Sequence, residues 1–337
     1  MPLKVLYIPG VLGSSLSSQD GGGGPLTPVW IGAASLLNGG MAYLQLAPDG
    51  VSPGPLAVGK VTTAVSILGE VYSPLAVWLQ LLGYDVLALG FDWRLSLLTS
   101  AQRLYGQVMA WLGAASMTVV CHSMGGLLAR LLYAQMQAHG TQAQFGRLIC
   151  IGTPHYGSFE PVRLWWKLPA LYRGLAALTG WVGRQPDASG PDYLDAVLAS
   201  HPSWYELTAF AGAGPLFTDF PNQAKEIYGS AFYGTGANRY VSQALLTSAE
   251  LVQGQITAAL PPDTVVIAGV GHKTTFALVD GGDPAGEAGY QYTQEGDGDV
   301  TLAQASPPGV PVGTVNVGHA FQPLHPAVWL ALRPLLP

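Results

Sequence analysis

The segment Thr118-Val119-Val120-Cys121-His122-Ser123-Met124-Gly125-Gly126-Leu127-Leu128-Ala129-Arg130 constrains the fold more than any other. A β-branched run leads into a serine, small residues follow at once, and an apolar stretch at helical spacing begins. This is the pattern of a nucleophile elbow, in which a strand ends, the chain turns sharply, and a serine on the turn exposes its hydroxyl. Gly125 and Gly126 let the incoming strand and outgoing helix approach closely. The helix N-terminus offers unpaired N–H groups and positive potential to an anion forming at Ser123. The usual string is Gly-x-Ser-x-Gly. Here Cys121 replaces the first glycine, a small residue that such a turn can accept.

The 337 residues suffice for one large α/β domain with insertions or two smaller ones. Hydrophobic residues make up 49% and charged residues 10%, which marks a globular chain rich in apolar interior or surface. With 14 Lys+Arg and a formal charge of −6, the chain lacks the basic patches that nucleic acid demands. No apolar run reaches the roughly 18 residues of a spanning helix. Met1-Pro2-Leu3-Lys4 leads straight into a strand-like stretch without a signal-peptide pattern. That favours a cytoplasmic location, although a secreted mature form restarted with methionine would read the same. Cys121 and Cys150 are the only cysteines, and each closes an expected buried strand. They read as small core residues in preference to a disulfide or redox pair.

Along the chain, residues 4–8 read as a buried first strand, followed by the glycine-bearing loop Pro9-Gly10-Val11-Leu12-Gly13. The N–H of Val11 can pair with that of Met124 as two donors for an oxyanion. Residues 29–37 read as a short helix, and 43–46 and 61–65 as small strands of a peripheral hairpin region. Ser73 before Pro74 marks the start of a helix that ends at Gly83. A strand at 85–89, a helix at 96–112, the elbow strand, a helix at 124–138 and a strand at 148–151 follow. This alternation predicts a doubly wound, mainly parallel sheet. It breaks over residues 159–260, where Trp165, Trp166 and Trp181 recur among leucines. A cap inserted between sheet strands fits that profile, its tryptophans packing as core, lining an apolar pocket or touching a lipid surface. The expected organisation is a core of 1–158, a cap of 159–260 and a second core part of 261–337, with no linker between independent halves.

A serine hydroxyl is a poor nucleophile near neutral pH and needs a base, which in turn needs an orienting carboxylate. After an elbow of this kind the order along the chain is acid, then histidine. Asp297 stands in the turn Gly296-Asp297-Gly298-Asp299, and His319 follows the final strand. Asp299 is the rival acid, two residues on, and His325 the rival base. His122 adjoins the serine but should point back into the packing. No His, Cys, Asp or Glu cluster has metal-ligand spacing, so neither a catalytic metal nor another cofactor is expected.

Read together, several strings carry a family resemblance. They are Ile8-Pro9-Gly10-Val11-Leu12-Gly13-Ser14-Ser15-Leu16, Phe91-Asp92-Trp93-Arg94-Leu95, His122-Ser123-Met124-Gly125-Gly126 and Ile151-Gly152-Thr153-Pro154-His155-Tyr156-Gly157-Ser158. Pro202-Ser203-Trp204-Tyr205-Glu206-Leu207, Gly296-Asp297-Gly298-Asp299-Val300 and His319 complete them, in order over nearly the whole chain. The chain resembles the lecithin:cholesterol acyltransferase-like branch of the α/β hydrolases, which includes lysosomal phospholipase A2 and many bacterial lipases and esterases. The resemblance implies an α/β-hydrolase fold with Ser123 as nucleophile, His319 as base and Val11 and Met124 as oxyanion donors. The family's acid precedes a Gly-Thr-Val-like triplet, which favours Asp297 and puts Asp299 in the threonine position. Asp92, Trp93 and Arg94 become a structural motif, with an ion pair bracing the sheet edge. The cap is expected to bind acyl chains or lipid surfaces through Trp165, Trp166 and Trp181. The cap lacks the cysteine pair of the lecithin acyltransferase itself, so nothing implies the same lid or a lipoprotein substrate.

The expected activity is cleavage of carboxylic esters, of lipase, esterase or phospholipase type, through an acyl-enzyme on Ser123. Acyl transfer to an alcohol would use the same triad. A non-catalytic scaffold that binds an apolar ligand is the reading from a different class. The expected partners are an ester or lipid with an apolar acyl chain and, through the cap, a lipid surface.

Overall fold

The computed structural model describes residues 2–30, 40–169, 193–210, 227–233, 237–279 and 283–337. Strand β1 (Lys4–Ile8) opens the chain. Strands β2 (Ser14–Asp20), β3 (Thr27–Trp30) and β4 (Lys60–Ile67) form a separate antiparallel sheet in the order β3-β2-β4. Helix α1 (Gly69–Leu81), β5 (Asp85–Ala88), α2 (Leu97–Leu112), β6 (Met117–His122), α3 (Met124–Ala138) and β7 (Phe145–Ile151) then alternate. Helices α4 (Glu160–Trp165), α5 (Tyr193–Ala199), α6 (Pro202–Glu206) and α7 (Gln243–Ala258) lie between β7 and β8 (Thr264–Gly269). The hairpin β9 (Thr274–Leu278) and β10 (Tyr290–Thr293), α8 (Leu302–Ala305), β11 (Val312–Val315) and α9 (Pro326–Leu332) complete the fold.

The six-stranded central sheet has the order β11-β8-β7-β6-β1-β5, and all its pairings are parallel. Side-chain alternation divides each inner strand between two apolar layers. Leu6, Ile8, Val119 and Cys121 face the layer of α2 and α3, while Val5, Tyr7 and Val120 face that of α1 and α9. Burial on both faces is what makes these strands continuous apolar runs. The chain leaves β1 for β5 on one side and returns to β6 on the other, so a crevice opens beyond the carboxyl ends of β1 and β6.

Several local expectations need correction. The stretch 29–37 does not open as a helix, because Thr27–Trp30 is a strand paired with β2, and 31–39 lie outside the described residues. Gly40–Leu44 is a 3-10 turn where a strand was expected, and only an isolated bridge joins Leu46 to Pro53. Helix α1 begins a turn before Ser73, with the Val71 and Tyr72 N–H groups bonded to the Leu68 carbonyl. Pro74 therefore sits inside the helix, as its sixth residue, and forfeits the one ladder bond its N–H would have made to the Glu70 carbonyl.

The Asp92-Trp93-Arg94 motif closes on itself and then reaches outward. Arg94 Nη2 and Nε donate to Asp92 at 2.7 and 2.9 Å, and Nη1 donates to the carbonyls of Tyr43 and Leu44. Trp93 is buried, its indole N–H on the Ser14 carbonyl. Glu206 of α6 accepts from the Leu97 N–H at 2.7 Å and so caps α2. These links seat the outer segments against the sheet.

Glycines at the elbow are sterically required. A Cβ on Gly125 would lie 2.4 Å from the Pro9 carbonyl oxygen, and one on Gly126 would lie 2.2 Å from Thr153 Oγ1. Gly106 in α2 has open space around it. In urea unfolding, Gly125→Ala should lose about 1–3 kcal/mol by overpacking, whereas Gly106→Ala should gain about 0.5–1 kcal/mol by helix propensity.

Candidate active site

Ser123 follows β6 with φ 54° and ψ −131°, a region that non-glycine residues avoid at a cost of about 1–3 kcal/mol. Its N–H is bonded to the Ile151 carbonyl of β7 at 2.9 Å, and its carbonyl accepts from the Gly126 N–H at 3.0 Å. The turn projects the hydroxyl over the carboxyl ends of the strands. Cys121, in the place of the usual glycine, points into the α3 layer with its thiol 3.6 Å from that of Cys150. Its side chain is absorbed by the core, which is why the elbow closes without that glycine.

The structure brings Asp297 and His319 to Ser123 from a distant part of the chain. His319 Nε2 is 2.8 Å from Ser123 Oγ, and His319 Nδ1 is 2.8 Å from Asp297 Oδ2. The His319 N–H also donates to the Asp297 carbonyl. Asp297 Oδ1 accepts from the N–H groups of Asp299 and Val300, and Oδ2 accepts a further bond from Gln322 Nε2 at 2.9 Å. Burial opposes ionisation of Asp297, but His319 and these N–H donors outweigh it and hold the carboxyl below its usual range. Burial likewise disfavours an imidazolium at His319. Contact with Asp297, aided by Asp299 and Glu160, overrides that and pushes the imidazole up to about 9.

The rivals go elsewhere. Asp299 lines the cavity without touching His319 Nδ1, and burial beside Asp297 raises its carboxyl. His325 is exposed and caps α9 through the Ala327 N–H. His122 is buried, with Nδ1 on the Tyr72 hydroxyl and Nε2 on the His319 carbonyl. Val11 lines the cavity beside Ser123 in a loop where Leu12 adopts φ 61°. Met124 opens α3, so its N–H has no intrahelical acceptor.

A cavity of about 520 Å³ opens above Ser123. Leu12, Leu68, Val71, Leu164, Leu168 and Trp204 give it an apolar wall, and Glu160, Arg163 and Asp299 form a charged corner. Trp165 and Trp166 do not line it, a correction to the expected tryptophan pocket. Both are buried in the core, Trp165 against Tyr205 and Trp166 against Phe232, because α4 turns Leu164 toward the site. Trp181 lies outside the described residues. Trp204, Glu160, Arg163 and Gln322 went unassigned in the sequence. Trp204 stands in a string that carries the family resemblance, whereas Gln322 offered no signal beyond its place three residues after His319.

The parallel sheet, with a strained serine turn between β6 and α3 and with Asp297 and His319 brought to that serine by later loops, has the α/β-hydrolase fold. Residues 56–167, about a third of the chain, match the lecithin:cholesterol acyltransferase family. Among solved structures, a chain of the Tle4-Tli4 complex is similar in fold, with a TM-score of 0.60 and 14% identity over 99% of this chain and 98% of that one. The mature Bacillus licheniformis lipase BlEst2 aligns more loosely, with a TM-score of 0.39 and 14% identity over 99% and 91%. No curated protein sequence matches significantly. Among the described residues, no helix is long and apolar enough to cross a membrane.

The carboxylates around His319 can be tested directly. An NMR titration of its imidazole should give a midpoint near 9 in the intact protein. Asp299→Asn removes one negative neighbour and should lower that midpoint, while an unmoved midpoint would leave the shift to Asp297 and Glu160.

Proposed function

We propose that the protein is a serine ester hydrolase that acts through an acyl-enzyme on Ser123, with lipid esters as its substrate class. The observation that carries this reading is the pair of 2.8 Å hydrogen bonds running from Ser123 through His319 to Asp297 beneath an apolar cavity. The match of residues 56–167 to the lecithin:cholesterol acyltransferase family supports it.

In this mechanism Ser123 Oγ attacks the ester carbonyl carbon while His319 Nε2 takes its proton. Asp297 keeps the Nδ1–H tautomer and stabilises the imidazolium that forms. The N–H groups of Val11 and Met124 receive the oxyanion, at the positive end of α3. His319 then returns its proton to the departing alkoxide and leaves the acyl group on Ser123. Water, activated by the same imidazole, completes hydrolysis. An alcohol in its place completes acyl transfer, the reaction in the family's name. We assign residues 159–260 as a cap whose Leu164, Leu168 and Trp204 hold the acyl chain.

The test is turnover of p-nitrophenyl esters of increasing chain length, with and without a competing alcohol. Ser123→Ala should abolish turnover and fluorophosphonate labelling, and Asp297→Asn should lower kcat by about 10³–10⁴ through loss of the productive tautomer. The base must be neutral to act, so kcat/KM should rise with pH as His319 loses its proton. Its raised pKa displaces that limb above the ordinary 6.5 of an imidazole. Wild-type protein that neither turns over any ester nor labels at Ser123 would leave the non-catalytic scaffold as the reading.

A further inference from the structure

We infer that Tyr72 and His122 form a one-directional hydrogen-bonded link that holds the oxyanion loop in register with the loop carrying His319, which makes both of them positioning residues for chemistry at Ser123. The inference rests on the proposed function. His122 Nε2 lies 3.1 Å from the His319 carbonyl oxygen, which can only accept, so Nε2 carries the hydrogen. In a neutral ring Nδ1 is then an acceptor, and the Tyr72 hydroxyl 2.9 Å away must donate to it. The same hydroxyl oxygen accepts from the Gly10 N–H at 3.0 Å. The link therefore runs Gly10 to Tyr72 to His122 to His319, and every donor meets an acceptor. Burial, with His319 alongside, pushes the His122 imidazole down to about 3, so its ring stays neutral and the direction persists.

Each end of this link carries a different part of the machinery. Gly10 directly precedes Val11, and a Cβ on Gly10 would come within 2.9 Å of Ser123 Cβ and 3.1 Å of the Tyr72 hydroxyl. A Cβ on Gly13 would lie 2.6 Å from the Tyr72 ring, so that ring is the bed on which the loop rests. At the other end, the His122 and His319 rings lie 4.9 Å apart. An oxyanion donor acts over about 2.7–3.1 Å, and a displacement of about 1 Å can cost a hundredfold in rate. A bond that fixes the loop against the elbow thus acts on kcat.

Tyr72→Phe keeps the ring and removes only the hydroxyl. Rates should be expressed per active site titrated with a fluorophosphonate, alongside KM and the melting temperature. The expected result is a fall in kcat of about 10- to 100-fold, with KM within about twofold. His122→Asn keeps an acceptor for Tyr72 but gives up the donor to His319, and should lower kcat similarly. It also tests the link should Tyr72→Phe fail to fold. The double variant should fall no further than the weaker single one, because both break one chain of bonds. Unchanged kcat per titrated site, or a rise in KM alone, would overturn the inference and leave Tyr72 as a structural or substrate-contacting residue. Absence of turnover and labelling in the wild type would instead remove the underlying reading.

Discussion

The structure depends on the backbone of Ser123 being held where a side chain does not belong. A φ of 54° is tolerated because the residue is fixed from both directions. Its N–H is anchored to β7 and its carbonyl to the first turn of α3. The glycines behind it let α3 descend almost onto the ends of β1 and β7, closer than any side chain allows. The strain is thus sustained by the parallel sheet as a whole, and it leaves the serine in the cavity wall, directly before a helix whose first N–H, that of Met124, has no intrahelical acceptor.

Around that point the buried polar groups are satisfied in a definite order. Asp297 accepts bonds at both carboxylate oxygens, so it stays ionised in an apolar setting and fixes one tautomer of His319. His122, one residue before the serine, is buried too but faces a tyrosine and a carbonyl, and stays neutral. The two histidines lie nearly in contact, and only the one beside a carboxylate can take up a proton. Charge partners separate their chemistry where burial alone would make them alike.

Much of this was legible in one dimension. The strand-to-helix switch around Ser123, with its small residues, is a local pattern, and the structure reproduces α3 over the expected residues. The order of serine, acid and histidine followed from the elbow. Local patterns misled where the partner decides the outcome. Residues 27–30 carry no strong strand signal of their own and become a strand because β2 offers an edge. The Ser73-Pro74 pair looked like a helix start, yet the Leu68 carbonyl captures the chain a turn earlier. Asp297 and Asp299 share one turn, and nothing in the spacing says which carboxylate meets an imidazole 20 or so residues further on.

The sequence by itself determined the alternation that makes a doubly wound sheet, the sharp turn at Ser123 and the supply of an acid and a base in its last quarter. These depend on period, turn chemistry and glycine, all of which act between near neighbours. Only the tertiary structure decided which aspartate faces His319, and that Leu164 and Trp204 line the cavity while Trp165 and Trp166 are buried in the core. It alone brought Tyr72 and His122 together between the loop at Gly10 and His319. The physical reason is that a hydrogen bond or a cavity wall depends on distance in space, and the parallel crossovers bring together residues nearly 200 positions apart in the chain.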